Sequence, residues 1–183
     1  MSLPPGDLWV FGYGSLLWKP GFAHLEVQPA RLHGYHRALC VWSWVHRGTP
    51  EWPGLVFGLD LGGACIGRAF RVAAAERDAV VDYLYRREMV TKVYKPRLHR
   101  VRLATKAQVT ALGFVVDRRH HQYAGRLNAE QAAAVVRVAA GQSGPNPEYV
   151  VNTAKHLVEL GIRDAYLQEV VARLAAPGAG GTP

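Results

Sequence analysis

The stretch LWVFGYGSLLWKP, residues 8–20, decides between two kinds of fold. LWVFG is a short apolar run ending at glycine, the pattern of a buried strand. The GYGSLL that follows imitates the start of a dinucleotide-binding fingerprint. Leu17, however, stands where the third glycine belongs, and Pro20-Gly21 arrive before a long crossover helix can form. A G-x-S-x-G nucleophile elbow fails as well, because Tyr13 and Leu17 occupy its two glycine positions. Ser15 therefore has no pattern support as a nucleophile. What remains is a strand and a turn with little side-chain cover. Such a turn is either a plain tight connection or a concavity of backbone N–H groups that attracts carboxylates.

Working outward, the first two-thirds of the chain reads as strands and turns. RLHGYHRALCVWSWV is rich in aromatic and β-forming residues, and HRGTPEWPG is a loop. LVFGLDLGG and CIGRAFRV are two strand candidates joined by a hairpin signal at Gly62-Gly63. AAAERDAVVDYLYRREMV is the first helix, with Val80, Val81 and Leu84 on one face. RLHRVRLA and QVTALGFVVD are further strands. From Asn128 the pattern turns helical: NAEQAAAVVRVAAG, with Asn128 as N-cap and Gly141 as its close, then PNPEYVVNTAKHLVELG and IRDAYLQEVVARLAA. Strands first and helices later predict an α+β domain with a mostly antiparallel sheet or small barrel. One domain over residues 1–176 is expected, with the PGAGGTP tail at 177–183 disordered.

The 183 residues carry a formal charge of +8, which favours anionic partners. The basic residues are scattered, and the densest patch, YKPRLHRVRL, puts cations on both faces of a strand, so a nucleic-acid partner is not expected. No apolar run approaches the roughly 18 residues of a spanning helix, so no membrane partner is expected either. MSLPPGDLWV has neither a basic nor an apolar leader region, and Cys40 and Cys65 lack a CxxC partner. Both features lead to a cytoplasmic expectation. Eight histidines are present without an HExxH or Cys/His cluster, so no metal is expected.

Glu88 is the informative acid. It follows Val80 and Leu84 at spacings of four, which places it on the apolar helix face. It also falls in the last turn, where the helix dipole disfavours a carboxylate. Burial and dipole both raise its pKa, the direction a proton-transfer catalyst needs. The competing reading is a salt bridge to Arg86, Arg87 or Lys92, although Arg86 and Arg87 are expected on the solvated side. Glu76 and Asp78 fit the first turn of the helix, Asp60 and Asp117 end strands, and no second acid shares Glu88's position. Tyr149 falls in the first turn of a late helix, where core packing is the plainer role. Arg37 and Arg97 are candidates for a substrate carboxylate without spacing support.

LWVFGYGSLLW, LHGYHRALC, RGTPEWPG, GGACIGRAFRV, YLYRREM and GQSGPNPEYV together resemble the ChaC-type glutathione-specific γ-glutamylcyclotransferase family, over roughly residues 8–160. The resemblance implies a small mixed β-barrel with flanking helices. It implies a substrate loop over Gly12, Tyr13, Gly14, Ser15, Leu16 and Leu17, a catalytic glutamate at Glu88 and a substrate contact at Tyr149. The implied reaction turns glutathione into 5-oxoproline and Cys-Gly without metal or cofactor. Backbone N–H groups of Gly14, Ser15 and Leu16 would grip the glutamyl end while Glu88 carries the proton. The alternatives are a cyclotransferase for other γ-glutamyl amino acids or amines, and a silent glutathione-binding regulatory protein. One departure stands out: many members follow the glutamate with Gly-Gly-Tyr, whereas REMVTKVY keeps only Tyr94.

Overall fold

The computed structural model describes residues 3–176, so the tail at 177–183 lies outside the described residues. Strands β1 (Leu8–Gly12), β2 (Glu26–Ser43), β3 (Gly54–Val72), β4 (Tyr94–Leu103) and β5 (Gln108–Val116) close into a barrel in the order β1-β3-β2-β4-β5. Closure pairs every strand on both sides and removes exposed edges. β1 runs antiparallel to β3, with Val10 opposite Phe70, and parallel to β5, with Val10 opposite Leu112. That parallel seam beside antiparallel pairs makes the barrel mixed, the architecture that the resemblance implies.

Gly62 and Gly63 do not form a hairpin. β3 is a single strand of 19 residues that runs through them. Both take positive φ, +102° and +68°, which only glycine adopts at little cost, so the pair bends the strand without reversing it. Asp60 consequently lies inside a strand rather than at its end. It is buried and paired with Arg118 at 2.6 Å.

The described chain divides into two compact units, both threaded by β2 and β3. The first comprises residues up to Ala38 and Gly58–His121. It contains helix α1 (Arg77–Glu88), preceded by a 3-10 turn at Ala74–Glu76. α1 drops Val80 and Leu84 onto one face of β1, β3 and β5, against Leu8, Val10, Phe70, Val72, Leu112 and Phe114. Each such side chain contributes about 1.5–3 kcal/mol on full burial, which fixes where the C-terminus of α1 ends.

The second unit comprises Leu39–Phe57 and the described residues from Gln122 onward. It contains α2 (Ala129–Val138), a two-residue pair β6 (Ala140–Gly141) and β7 (Gly144–Pro145), α3 (Asn146–Glu159) and α4 (Ala165–Ala175). Asn128 caps α2 with a reciprocal bond to Gln131, as its sequence position suggests. Gly141 does not close that helix. The helix ends at Val138, and Gly141 sits in β6.

Candidate active site

β1 ends at Gly12 and the chain enters a 3-10 turn, Ser15–Leu17. Leu16 and Leu17 are buried, Leu16 within the α1 cluster. Gly12 is required by close approach: a Cβ there would lie 3.0 Å from the Leu16 Cβ and 3.2 Å from the Phe70 ring. Leu17 N–H donates to the Gly14 carbonyl at 2.9 Å, and no side chain caps the turn. The N–H groups of Ser15 and Leu16 therefore lead the turn without an internal acceptor. Gly12, Tyr13 and Gly14 are buried and Ser15 is half-buried, so this backbone is less open to water than the side-chain sizes suggest.

Three arginines clamp this loop. The buried Arg37 donates from Nε to the Tyr13 carbonyl at 2.6 Å and from Nη2 to the Ile66 carbonyl at 2.8 Å. Arg68 Nη1 reaches the Leu17 carbonyl at 3.0 Å. Arg87, from the last turn of α1, makes the widest grip. Its Nη2 donates to Ser15 Oγ at 2.9 Å, and its Nη1 to the carbonyls of Lys19 at 2.7 Å and Pro20 at 3.1 Å and to the Tyr83 hydroxyl at 2.8 Å.

Glu88 is the last residue of α1, and its side chain retains 17% exposure. Its Oε1 is ion-paired with Arg87 Nε at 3.2 Å. Burial pushes its pKa up, and the Arg87 charge pulls the other way without cancelling that rise. The structure thus brings Glu88 and Ser15 onto one guanidinium. It also corrects the expectation for Arg87, which is not on the solvated side, whereas Arg86 is exposed. Tyr83 and Arg87 are spaced by four, a stripe beside Val80–Leu84–Glu88. That spacing was the available signal. The anchors Lys19 and Pro20, reached through backbone carbonyls, had none.

Tyr149 belongs to the second unit, in the first turn of α3. Its hydroxyl accepts from the Phe57 N–H at 3.3 Å, and the Arg47 guanidinium lies 5.2 Å from its ring centre. Arg37 is occupied with the loop, and Arg97 is exposed on β4. Among the described residues no group of three His, Cys, Asp or Glu side chains is arranged to hold a metal ion. Among the same residues, no helix is long and apolar enough to cross a membrane.

A profile described as ChaC-like protein matches residues 8–176. The glutathione-specific γ-glutamylcyclotransferase of Escherichia coli K12 is 33% identical over 166 residues, covering 91% of this chain and 72% of that protein. Glutathione-specific γ-glutamylcyclotransferase 1 of Homo sapiens is 31% identical over 173 residues, covering 91% of this chain and 78% of that protein. In fold, the chain is similar to the crystal structure of a yeast γ-glutamylcyclotransferase specific to glutathione. The TM-score is 0.83 at 23% identity, over 92% of this chain and 96% of that one.

Proposed function

This chain belongs to the ChaC-like protein family, and from that premise we propose that it is a glutathione-specific γ-glutamylcyclotransferase with Glu88 as its proton carrier. The observation that carries the residue assignment is a carboxylate with raised pKa, held through one arginine to the turn after β1. The relatives' names supply the substrate.

The reaction is a ring closure. The glutamyl α-nitrogen bonds to the γ-carbonyl carbon, and the bond from that carbon to the cysteine nitrogen breaks. One proton leaves the α-nitrogen and one arrives at the cysteine nitrogen, so atoms balance without water or a cofactor. Glu88 takes the first proton as base and returns it as acid. Its raised pKa suits both halves, because a carboxylate of ordinary pKa is a weak base near neutrality. The N–H groups of Gly14, Ser15 and Leu16 hold the glutamyl carboxylate, keeping the chain curled toward attack. Such positioning is worth up to about 7–11 kcal/mol. Tyr149 contacts the substrate on the strength of the family resemblance, and the +8 charge suits an anionic tripeptide.

The test is incubation of purified, EDTA-treated protein with glutathione, followed by detection of 5-oxoproline and Cys-Gly. Formation of both supports the reading and its metal independence. Turnover of γ-glutamyl-alanine in preference to glutathione would replace it with a broader cyclotransferase, and glutathione binding without product would make the chain a silent binder. The cytoplasmic location belongs to the same proposal and is checked by fractionation.

A further inference from the structure

We infer that Arg87 is a positioning residue for this reaction, a bracket that locks the Glu88 carboxylate to the loop that holds the substrate. The inference rests on the functional reading above and adds to it a residue that touches no substrate.

The geometry is specific. A guanidinium has five N–H donors in a fixed fork. Here Nε faces Glu88 Oε1 at 3.2 Å, Nη2 bonds Ser15 Oγ at 2.9 Å, and Nη1 serves the Lys19 and Pro20 carbonyls and the Tyr83 hydroxyl. All three nitrogens are thus occupied by protein groups, which argues against a substrate-binding role. The acceptors come from both ends of the turn after β1 and from α1 itself. Nothing else among the described residues pairs with the Glu88 carboxylate. A lysine at this position would keep the charge but could not reach Glu88, Ser15 and the two carbonyls at once.

The bracket matters because ring closure depends on placement, and an error of about 1 Å costs roughly 100-fold in rate. Arg87 also supplies the charge that favours ionised Glu88. Of the other charged groups on α1, Asp78, Asp82 and Arg86 are exposed and Arg77 pairs with Asp78. Lys19 and His24 on the segment packed against it are exposed, and among the described residues Arg87 is the charge that acts on the carboxylate.

Three variants separate the possibilities, each checked for folding by circular dichroism and assayed for 5-oxoproline from pH 5 to 9. Glu88→Gln must first lower activity by about 100-fold or more. If it does not, the functional reading falls and this inference with it. With that control in place, Arg87→Gln is expected to lower kcat/KM by about 10- to 100-fold. It is also expected to move the acid limb of the pH profile to higher pH, since the cation that favours the carboxylate is gone. An unmoved limb in a folded Arg87→Gln protein overturns the inference alone, because loss of packing would reduce rate without shifting it. Arg87→Lys keeps the cation and covers the case in which Arg87→Gln fails to fold. It should retain the wild-type acid limb with kcat reduced about tenfold. Wild-type kcat in Arg87→Lys would show that the fork holds nothing.

Discussion

At Glu88 two effects oppose each other. Partial burial at the negative end of α1 favours the protonated acid, while Arg87 at 3.2 Å favours the carboxylate. Burial prevails, and the folded protein binds this proton more tightly than the unfolded chain does. Stability linked to Glu88 is therefore greatest below the ordinary glutamate range, about pH 4.3, and is lost as pH rises through the elevated value in the folded state. Near neutrality the ionised side chain is a burden on the fold. Glu88→Gln should show a melting temperature equal to or above wild type at pH 7.5, with that advantage shrinking toward pH 4, as differential scanning fluorimetry can measure. A lower melting temperature for the variant at pH 7.5 would mean that the Arg87 pair outweighs burial. The position of this acid was legible in sequence, because a spacing of four from Val80 and Leu84 can be read without a structure. Its arginine partner was not, because a charged residue in a last turn is ordinarily solvated. Only the loop folding back toward α1 gives Arg87 its acceptors.

At the scale of elements, the packing of the β1–β2 connection against α1 depends on one glycine. Gly21 has φ +77°, and a Cβ there would lie 2.0 Å from the Tyr83 hydroxyl, the same oxygen that Arg87 bonds. Gly21→Ala should cost about 1–3 kcal/mol from left-handed strain and overpacking, seen as a lower urea midpoint, and should reduce activity by displacing Tyr83 from Arg87. The connection after α1 departs from the glycine-rich pattern of the resemblance and carries a trace of it: Lys92 takes φ 61°, a conformation that suits glycine. In the second unit, Asn146 at the start of α3 is fully buried. Its side chain accepts from the Leu55 N–H at 2.7 Å and donates to the Leu55 carbonyl at 2.8 Å. Asn146→Ala leaves two buried backbone groups without partners, at about 1–3 kcal/mol each. Chemical denaturation should report a loss of about 2–6 kcal/mol for the two together, and a change below about 1 kcal/mol would contradict the assignment. β1, α1 and the late helices are legible in the sequence, because each carries its own period or cap. The continuity of β3 through Gly62-Gly63 is not, because two glycines between apolar runs look alike whether they bend a strand or reverse it. Only the pairing of the whole strand tells the two apart.

At the scale of the whole molecule, the chain passes between its two compact units three times, at 38/39, 57/58 and 121/122. β2 and β3 each belong partly to both. Neither unit is a continuous piece of sequence, so we expect the single-domain reading of residues 1–176 to appear as one calorimetric transition, with matching calorimetric and van't Hoff enthalpies. Two separate transitions would contradict it. The barrel and the family were legible because the strand-turn motif after residue 8 and the YLYRREM helix end are specific. The coupling between them was not, since it runs through side chain to carbonyl contacts that leave no pattern in the sequence. The proposed catalyst is a half-buried acid on α1 that moves the proton during ring closure. The most direct measurement is the single-turnover rate of 5-oxoproline release from glutathione by folded Glu88→Gln protein beside wild type at pH 7.5. A fall of about 10²–10⁴-fold is predicted. A rate within a few-fold of wild type would show that the proton travels by another route.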